Sequence, residues 1–381
     1  MKVLMMSTIG MGPPHHGNRA RFRTLSDALS RHAEISILGL NMPADEFSGL
    51  PTDRYCVLGN LRDSLPFRIR RKLGRIVRTA LGRTKREANQ PLDRDLDPGL
   101  LKQIARIATE TRFDLAVINY ATYSLYLTAL PKETRTAIDT IDVLSNRRAR
   151  FASISGSEAW QSMSPDDERR ALQRADTVIA IQEKEAEAFR QLLPEPRDVQ
   201  VISYLDRPTE IARSSTAFSF GILSSDNPIN IQSVNWFIDE VWLKFVERVP
   251  EARLLLGGGV CDHVPDNPAV TKLGVLSTVE AFYRQVDICI NPCLAGTGLK
   301  IKTVEALAAG RCVVGSRYSA DGLTASAENG LFEANEVDEY LDLMTRLYTD
   351  TAFTQSSGSA GHRYLHALYE ASMQAIERLC R

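Results

Sequence analysis

One stretch of the chain, residues 291–316, reads NPCLAGTGLKIKTVEALAAGRCVVGS and places small residues, glycines and lysines before a predicted helix. The helix is predicted to begin near Lys300 and to end at Gly310, since glycine commonly stops a helix. Gly296 and Gly298 carry no Cβ atom, so a ligand can approach the backbone N–H groups closely. The free N–H groups and the dipole of a helix start bind phosphate. The stretch therefore predicts a phosphate site made of Gly296, Thr297, Gly298, Leu299, Lys300 and Lys302, although a tight loop before an ordinary helix would also use glycines.

Glu305 lies about one and a half turns into the same predicted helix. A carboxylate does not bind phosphate, but it is a good acceptor for the two hydroxyls of a ribose, as in dinucleotide sites. A phosphate site at the start of a helix and a diol acceptor further along it together describe a nucleotide. We therefore expect Glu305 and residues 296–299, called the glycine loop below, to bind one nucleotide.

The elements that must position these residues follow from the apolar pattern. Strand-like segments such as KVLMMS, DLAVINY, ARLLLGGG and DICINP alternate with segments of helical periodicity. This pattern is typical of α/β proteins whose parallel sheets are covered by helices on both faces. The polar segment 205–218 holds no clear strand and is expected to be a linker.

We predict two tandem Rossmann-like doubly wound domains, at 1–206 and 207–354, that face each other across a cleft. A final helix at 355–381 is expected to pack back on the first domain. Ligands of such sheets bind beyond the carboxyl ends of the strands, so the cleft is the expected site.

The first predicted domain offers polar residues at the ends of strands. The loop GMGPPHHGNRARF carries His15 and His16, candidates for acceptor contact or proton transfer, and Gly17, whose backbone can approach a donor. The two histidines are equally explained as exposed loop residues. Asp139 and Asp142 end another strand, where one could act as a base or accept a hydroxyl, while Asp142 could instead cap the next helix. Weaker candidates at a third strand end are Asn119 and Tyr120.

Composition excludes several classes of function. The formal charge of −1 over 381 residues argues against a general nucleic-acid binder. No apolar run reaches the length of a membrane-spanning helix, and the opening segment is predicted to be a strand rather than a signal peptide. The six scattered cysteines lack the paired spacing of a zinc site and are expected to be reduced thiols. We expect a cytoplasmic protein.

The segment 67–86 holds nine lysines and arginines and no acidic residue. Its apolar residues follow helical spacing, so it is either a basic amphipathic helix on an anionic membrane surface or an ordinary covering helix with a solvated face. Membrane contact would favour a lipid-linked acceptor.

Four stretches of the sequence can be compared with known families: GTGLKIKTVEALAAG, FSFGILSSDNPINIQSVNWFIDEVW, RADTVIAIQEKEAEAFRQLLP and IDTIDVLSNR. They resemble segments of the retaining glycosyltransferases of family 4, which have the GT-B fold. The resemblance covers most of residues 1–350. It implies that Gly258, in the turn GGG, flanks the donor sugar and base, and that Val275, in LGVLS, belongs to the backbone segment that recognises the base. Two positions depart from the family pattern: Thr297 stands where a first glutamate is usual, and Ile141 where a histidine is common.

The resemblance implies a retaining glycosyltransferase that moves a sugar from a UDP-, GDP- or dTDP-linked donor to an acceptor hydroxyl. Such enzymes work in bacterial polysaccharide, glycolipid or secondary-metabolite glycosylation. We expect a carbohydrate, a lipid-linked or a small-molecule acceptor, no metal ion, no other cofactor and no nucleic acid. The expected catalytic residues are His16, Asp142 and Lys302. Two other readings stay open, a non-catalytic nucleotide-sugar-binding protein and a GT-B-fold sugar epimerase or phosphorylase-like enzyme.

Overall fold

The computed structural model describes residues 1–11, 17–40, 55–60, 92–93, 96–145, 147, 162–203, 205–214, 217–296 and 298–381. The chain forms two compact units. Unit 1 comprises Met1–Leu205 and Ala371–Arg381, and unit 2 comprises Asp206–Glu370.

Unit 1 is built on a seven-stranded sheet with the order β3-β2-β1-β4-β5-β6-β7. Its strands pair in parallel, as the apolar pattern predicts. The strands are β1 Lys2–Ser7, β2 Glu34–Gly39, β3 Tyr55–Asn60, β4 Leu115–Asn119, β5 Arg135–Asp139, β6 Thr177–Ala180 and β7 Asp198–Val201. Sequence reasoning missed β3, because its apolar run is short and ends in Gly59 and Asn60, residues that are rare in strands.

The helices of unit 1 connect these strands. They are α1 Gly17–Ser30, α2 Pro98–Thr111, a 3-10 helix at Ala121–Ala129, α3 Pro165–Leu172 and α4 Glu183–Leu192. Helix α2 begins where Asp97 accepts a hydrogen bond from the Gly99 N–H and a proline occupies the first helical position. Ser164 caps α3 in the same way, through the Asp167 N–H.

Alternate residues of the unit 1 strands enter two separate cores. Leu4 and Met6 of β1 pack in one apolar cluster with residues of α2, α3 and α4. Val3 and Met5 pack in the other, which also contains residues of α1 and Ile376 of the C-terminal helix. The two-residue period of a strand produces this division, and it explains why the strands are apolar on both faces.

Unit 2 contains a six-stranded sheet with the order β10-β9-β8-β11-β12-β13, and its strands also pair in parallel. The strands are β8 Phe220–Leu223, β9 Leu254–Gly257, β10 Val270–Gly274, β11 Ile288–Asn291, β12 Cys312–Gly315 and β13 Leu331–Glu333. The three-residue strand β13 was not expected, since a run that short gives no clear periodicity.

The helices of unit 2 are α5 Pro228–Phe237, α6 Leu243–Arg248, α7 Val279–Tyr283, α8 Ile301–Ala308, α9 Val337–Thr349 and α10 Thr351–Leu379. Two 3-10 helices lie at Gly259–His263 and Ala327–Asn329. The helical segment before β9 consists of α5 and α6 joined by a π-helical turn at Ile238–Trp242. That turn places Trp242 in the core, where its ring packs on Phe220 and Phe245.

Helix α10 contributes to both units, residues 351–370 to unit 2 and residues 371–379 to unit 1. Within unit 1, Ser372 Oγ accepts a hydrogen bond from the Ser203 N–H at 3.0 Å. Ala375, Ile376 and Leu379 are buried in the unit 1 core.

Each sheet has one point at which the strand order reverses, because successive strands are added first on one side and then on the other. In unit 1 this point lies between β1 and β4, and in unit 2 between β8 and β11. The helices that follow two such strands leave on opposite faces, which opens a crevice at the carboxyl ends of the strands. In unit 2, the strand that leads to the glycine loop is β11, at this point.

Five cysteine side chains lie within the described part of the chain, and each is a free thiol. Cys261, Cys289, Cys293 and Cys312 are free and buried, and Cys380 is free and half-buried. Burial raises the pKa of Cys289 to about 12, so this thiol stays protonated and unreactive near neutral pH. The side chain of Cys56 lies outside the described residues.

Candidate functional site

The predicted strand, loop and helix around the glycine loop are present. Strand β11 ends at Asn291, the buried Pro292 follows, and α8 begins at Ile301 with Lys300 as its N-cap residue. Lys300 makes no side-chain cap, so capping does not use up the N–H groups of the first turn. Gly298 has a φ of 75°, in the left-handed region that favours glycine. Thr297 lies outside the described residues.

The two lysines differ in their surroundings. Lys300 Nζ donates to the Gly298 carbonyl at 2.9 Å, so its ammonium lies over the glycine loop. Lys302 Nζ instead forms an ion pair with Glu305 Oε2 at 2.8 Å. Glu305 Oε2 also accepts from the Tyr283 hydroxyl at 3.5 Å. Sequence reasoning gave Lys302 and Glu305 separate partners. The i,i+3 spacing on one helix was the signal that the two side chains would meet.

A carboxylate that sequence reasoning missed lies on the glycine loop. The loop after β12 carries Asp321, whose Oδ2 accepts the Gly298 N–H at 2.8 Å. The same loop is fixed at two more places, because Ser316 Oγ donates to the Cys293 carbonyl and Thr303 Oγ1 donates to the Ser319 carbonyl at 2.9 Å. No local pattern in the sequence predicts these contacts, since the partners lie 16 to 23 positions apart.

Gly258 and Val275 lie at the carboxyl ends of β9 and β10. Gly258 has a φ of 94°, and its N–H donates to the Gly274 carbonyl at 2.7 Å. A Cβ atom at Gly258 would overlap the Ser224 carbonyl oxygen, which follows β8. This close approach of three strand ends explains why a glycine is required there. Val275 is 80% exposed, unusual for a large apolar side chain, and so is available to a ligand.

At the corresponding edge of unit 1, a buried network fixes the ends of β4 and β5. Asp139 is fully buried and accepts from Arg21 Nη2 and from Asn119 Nδ2, both at 3.0 Å. Arg21 also donates to the Ser203 carbonyl at 2.7 Å. Asp139 therefore has a structural role in holding α1 to the sheet. The Oδ1 atom of Asn119 is buried and has no hydrogen-bond partner within the described part of the chain.

Asp142 follows β5 in a strained segment. Ile141 has a φ of 66° and Tyr120, after the neighbouring strand, a φ of 65°, a region that a β-branched residue rarely adopts. Asp142 is 7% exposed and pairs with Arg147 at 2.9 Å. Burial raises the pKa of Tyr120 above its usual value, although the hydrogen bond from Asn18 opposes this.

A carboxylate from α3 holds the segment that carries Asp142. Glu168 is fully buried, and its carboxylate accepts the N–H groups of Leu144 and Ser145 at 2.8 and 2.7 Å, and the Ser145 hydroxyl. Charge-assisted hydrogen bonds of this kind are stronger than neutral ones. Glu168 therefore fixes the backbone that follows Asp142.

Several predicted features cannot be placed. His15 and His16 and the basic segment 67–86 lie outside the described residues, and Gly17 is the exposed first residue of α1. Among the described residues, no three His, Cys, Asp or Glu side chains converge as metal ligands. No described helix has the length and apolar character needed to cross a membrane.

Comparison with known proteins gives one family and a set of structural neighbours. Residues 216–350, most of unit 2, match the family model described as "Glycosyl transferases group 1". No protein with a curated description matches the sequence.

Three solved structures illustrate the likeness of the whole chain, and each is matched over 100% of the present chain. Sucrose-phosphate synthase from Thermosynechococcus elongatus is 15% identical with a TM-score of 0.66, over 98% of its own chain. HepE from Anabaena, solved with UDP, is 17% identical with a TM-score of 0.67, over 99% of its chain. TarM is 10% identical with a TM-score of 0.66, over 98% of its chain.

At these identities the structural likeness concerns the fold, and it is the GT-B fold of two Rossmann-like domains that the sequence resemblance implies. The family match concerns unit 2. The chain has the GT-B fold, and its residues 216–350 match the family model of the glycosyl transferases group 1.

Proposed function

We propose that the protein is a retaining, metal-independent glycosyltransferase that moves a sugar from a nucleoside diphosphate to an acceptor hydroxyl. The observation that supports it best is the glycine loop. This loop and the start of α8 follow β11, at the strand reversal of unit 2, where α/β proteins bind nucleotides. The solved structures of HepE contain UDP or UDP-glucose, which supports the same class of donor here.

In the proposed complex the diphosphate binds at the start of α8. The N–H groups of the first turn and the Lys300 ammonium lie where negative charge develops as the sugar–phosphate bond breaks. The ribose diol binds Glu305, whose carboxylate is a quarter exposed. A diol on Glu305 competes with Lys302 for the same carboxylate, which lets the Lys302 ammonium turn to the phosphate. Protein cations thus supply the charge that a divalent metal supplies in other transferases.

Gly258 and Val275 border the sugar and the base in this proposal. The backbone around Gly258 is held against Ser224 and Gly274, which gives a rigid wall at the ends of β8, β9 and β10. The exposed side chain of Val275 offers an apolar surface to the flat face of a base.

The acceptor is assigned to unit 1. Asp142, held by Arg147 and by the Glu168-bound segment that follows it, can accept a hydrogen bond from an acceptor hydroxyl. His16 is proposed for the same role on sequence grounds. A carbohydrate, a lipid-linked sugar and a small molecule all carry the required hydroxyl.

A binding experiment followed by a product assay tests the proposal. Thermal unfolding is measured with UDP, GDP and dTDP, each with magnesium and with EDTA. We expect one nucleotide to raise the melting temperature, equally in both conditions. Sugar nucleotides with that base are then incubated with an acceptor panel, and products are analysed by mass spectrometry and by NMR of the anomeric centre. Failure of all three nucleotides to stabilise the protein would refute the proposal, and an inverted product would refute retention.

A catalytic variant separates transfer from binding alone. We expect Lys302→Met to lower kcat by about 10² to 10³-fold, the usual effect of removing one group that stabilises developing charge. A non-catalytic nucleotide-sugar-binding protein would show stabilisation by nucleotide and no product with any acceptor.

We also propose that the protein acts in the cytoplasm and binds an anionic membrane surface through the basic segment 67–86. Flotation with vesicles that contain phosphatidylglycerol, compared with neutral phosphatidylcholine vesicles, tests this. Equal recovery with the two vesicle types would refute it.

A further inference from the structure

The strongest unexplained feature of unit 2 is the Asp321 carboxylate on the glycine loop. Its Oδ2 lies 2.8 Å from the Gly298 nitrogen, the distance of a charge-assisted hydrogen bond. Gly298 is buried, and its N–H belongs to the loop that the proposed function assigns to the diphosphate. The group that this N–H binds in the structure is therefore already an anion.

Hydrogen bonds of the loop after β12 hold Asp321 in position. Ser316 and Ser319 fix residues 316–319 to the end of β11 and to α8, through Cys293 and Thr303. A Cβ atom at Gly315 would overlap Ser319 Oγ, so the loop packs directly against the end of β12. The Asp321 contact is thus the third attachment of an ordered loop.

The charges around the start of α8 balance each other. Lys302 pairs with Glu305 at 2.8 Å, Lys300 lies over the Gly298 carbonyl at 2.9 Å, and Asp321 binds the Gly298 N–H. A diphosphate that binds here adds negative charge close to a carboxylate. Two anions on one N–H group repel each other strongly in a partly buried site.

We propose that Asp321 is an internal competitor of the donor's diphosphate. The carboxylate and a phosphate oxygen take the Gly298 N–H in turn. When the donor binds, the carboxylate moves off the loop. After transfer it returns to Gly298 and promotes release of the nucleoside diphosphate. This inference depends on the proposed function, because it concerns the same phosphate site.

Two substitutions distinguish competition from a merely structural contact. Asp321→Asn keeps an oxygen that can accept the Gly298 N–H but removes the charge, and Asp321→Ala removes both. Competition predicts tighter binding of nucleoside diphosphate to Asp321→Asn, by about tenfold, since neighbouring like charges lower affinity on that scale. A structural contact alone predicts that Asp321→Asn binds like the wild type.

The test is isothermal titration calorimetry on the full chain with UDP, GDP and dTDP, together with stopped-flow dissociation of the nucleotide that binds. We expect slower dissociation from Asp321→Asn. Asp342→Asn, an exposed change on α9 in the same unit, controls for the loss of one negative charge. Melting temperatures of all variants are measured to show that they are folded.

Each outcome decides the question. Tighter binding and slower release in Asp321→Asn, but not in Asp342→Asn, support the competitor role. Unchanged or weaker binding in Asp321→Asn overturns it and leaves the proposed function intact, as long as the wild type binds a nucleotide. If the wild type binds none of the three, the proposed function and the competitor role both fail.

Discussion

At the scale of single residues, the proposed phosphate site of unit 2 contains groups that bind one another. Lys302 and Glu305 form an ion pair, and Gly298 binds Asp321. A residue's contribution to ligand binding therefore includes the contact that it gives up. A substitution can therefore weaken binding of the ribose without weakening binding of the diphosphate.

We predict that Glu305→Ala weakens nucleoside diphosphate binding by about tenfold or more, because a hydrogen bond to a charged group contributes about 1.5–3 kcal/mol. Inorganic pyrophosphate has no ribose, and its affinity should not fall in this variant, since Lys302 is freed from its ion pair. Calorimetry with both ligands measures the difference. Thr297→Ala is the comparison variant. A larger loss of nucleotide affinity in Thr297→Ala than in Glu305→Ala would show that the ribose does not bind Glu305.

Two buried tyrosines allow a matched test of hydrogen bonding in the core. The Tyr340 hydroxyl is buried without a hydrogen-bond partner among the described residues, and burial raises its pKa. The Tyr126 hydroxyl accepts the Asp97 N–H at 3.2 Å. Removing an unpaired hydroxyl relieves a desolvation cost, so Tyr340→Phe should leave stability unchanged or raise it by about 1 kcal/mol.

In contrast, Tyr126→Phe should lower the free energy of unfolding by about 1 kcal/mol, because the Asp97 N–H loses its partner. Urea denaturation measures the free energy of unfolding of both variants. If Tyr340→Phe proved the more destabilising of the two, its hydroxyl would have to be bonded in solution.

At the scale of elements, the parallel sheets bring residues from separate loops to one edge. The loops after β8, β9 and β10 meet at Ser224, Gly258 and Gly274. The loops after β11 and β12 meet at Gly298 and Asp321. The position at which each strand ends thus places a residue of the proposed site.

Substitution of Gly258 tests whether the close approach of the strand ends requires a glycine. Gly258→Ala should lower stability by at least about 2 kcal/mol and abolish nucleotide binding, because an alanine is strained at a φ of 94° and its methyl group overlaps the Ser224 carbonyl. Gly259→Ala is the matched control. A Cβ atom there lies 3.4 Å from the Asp226 side chain, close to ordinary contact. Denaturation and thermal shift with nucleotide should show near wild-type behaviour for Gly259→Ala, and equal effects at the two positions would contradict this explanation.

At the scale of the whole molecule, the last residues of the chain complete the core of unit 1. Ile376 is fully buried against the face of the sheet that also holds Val3 and Met5. Its neighbour Glu377 is exposed. The fold of unit 1 thus depends on residues that follow unit 2 in the sequence.

We predict that Ile376→Ala lowers the free energy of unfolding by about 2–5 kcal/mol, the cost of a cavity in a packed core. Glu377→Ala, an exposed change on the same turn, should leave the free energy of unfolding close to that of the wild type, because exposed ion pairs contribute little. Hydrogen exchange of unit 1 amides at increasing denaturant concentration measures the free energy of unfolding of both variants. A small effect of Ile376→Ala would mean that the end of α10 does not pack on unit 1 in solution.

The sequence by itself determined the fold class, the alternation of strands and helices, and the glycine loop before α8. These depend on periodicity and on glycine and proline positions, which act over a few residues. The short strands β3 and β13 were missed, since local preference there is weak and pairing with neighbouring strands decides the structure. The π-helical turn between α5 and α6 has no sequence signal either.

Only the tertiary structure decided which groups bind one another at the site. Lys302 and Glu305 are three positions apart and could have been paired from the sequence. Asp321 and Gly298 are 23 positions apart, and Glu168 reaches Leu144 over 24. Such contacts depend on how separate loops pack at a sheet edge. No local pattern encodes this packing, because it results from the balance of many distant interactions.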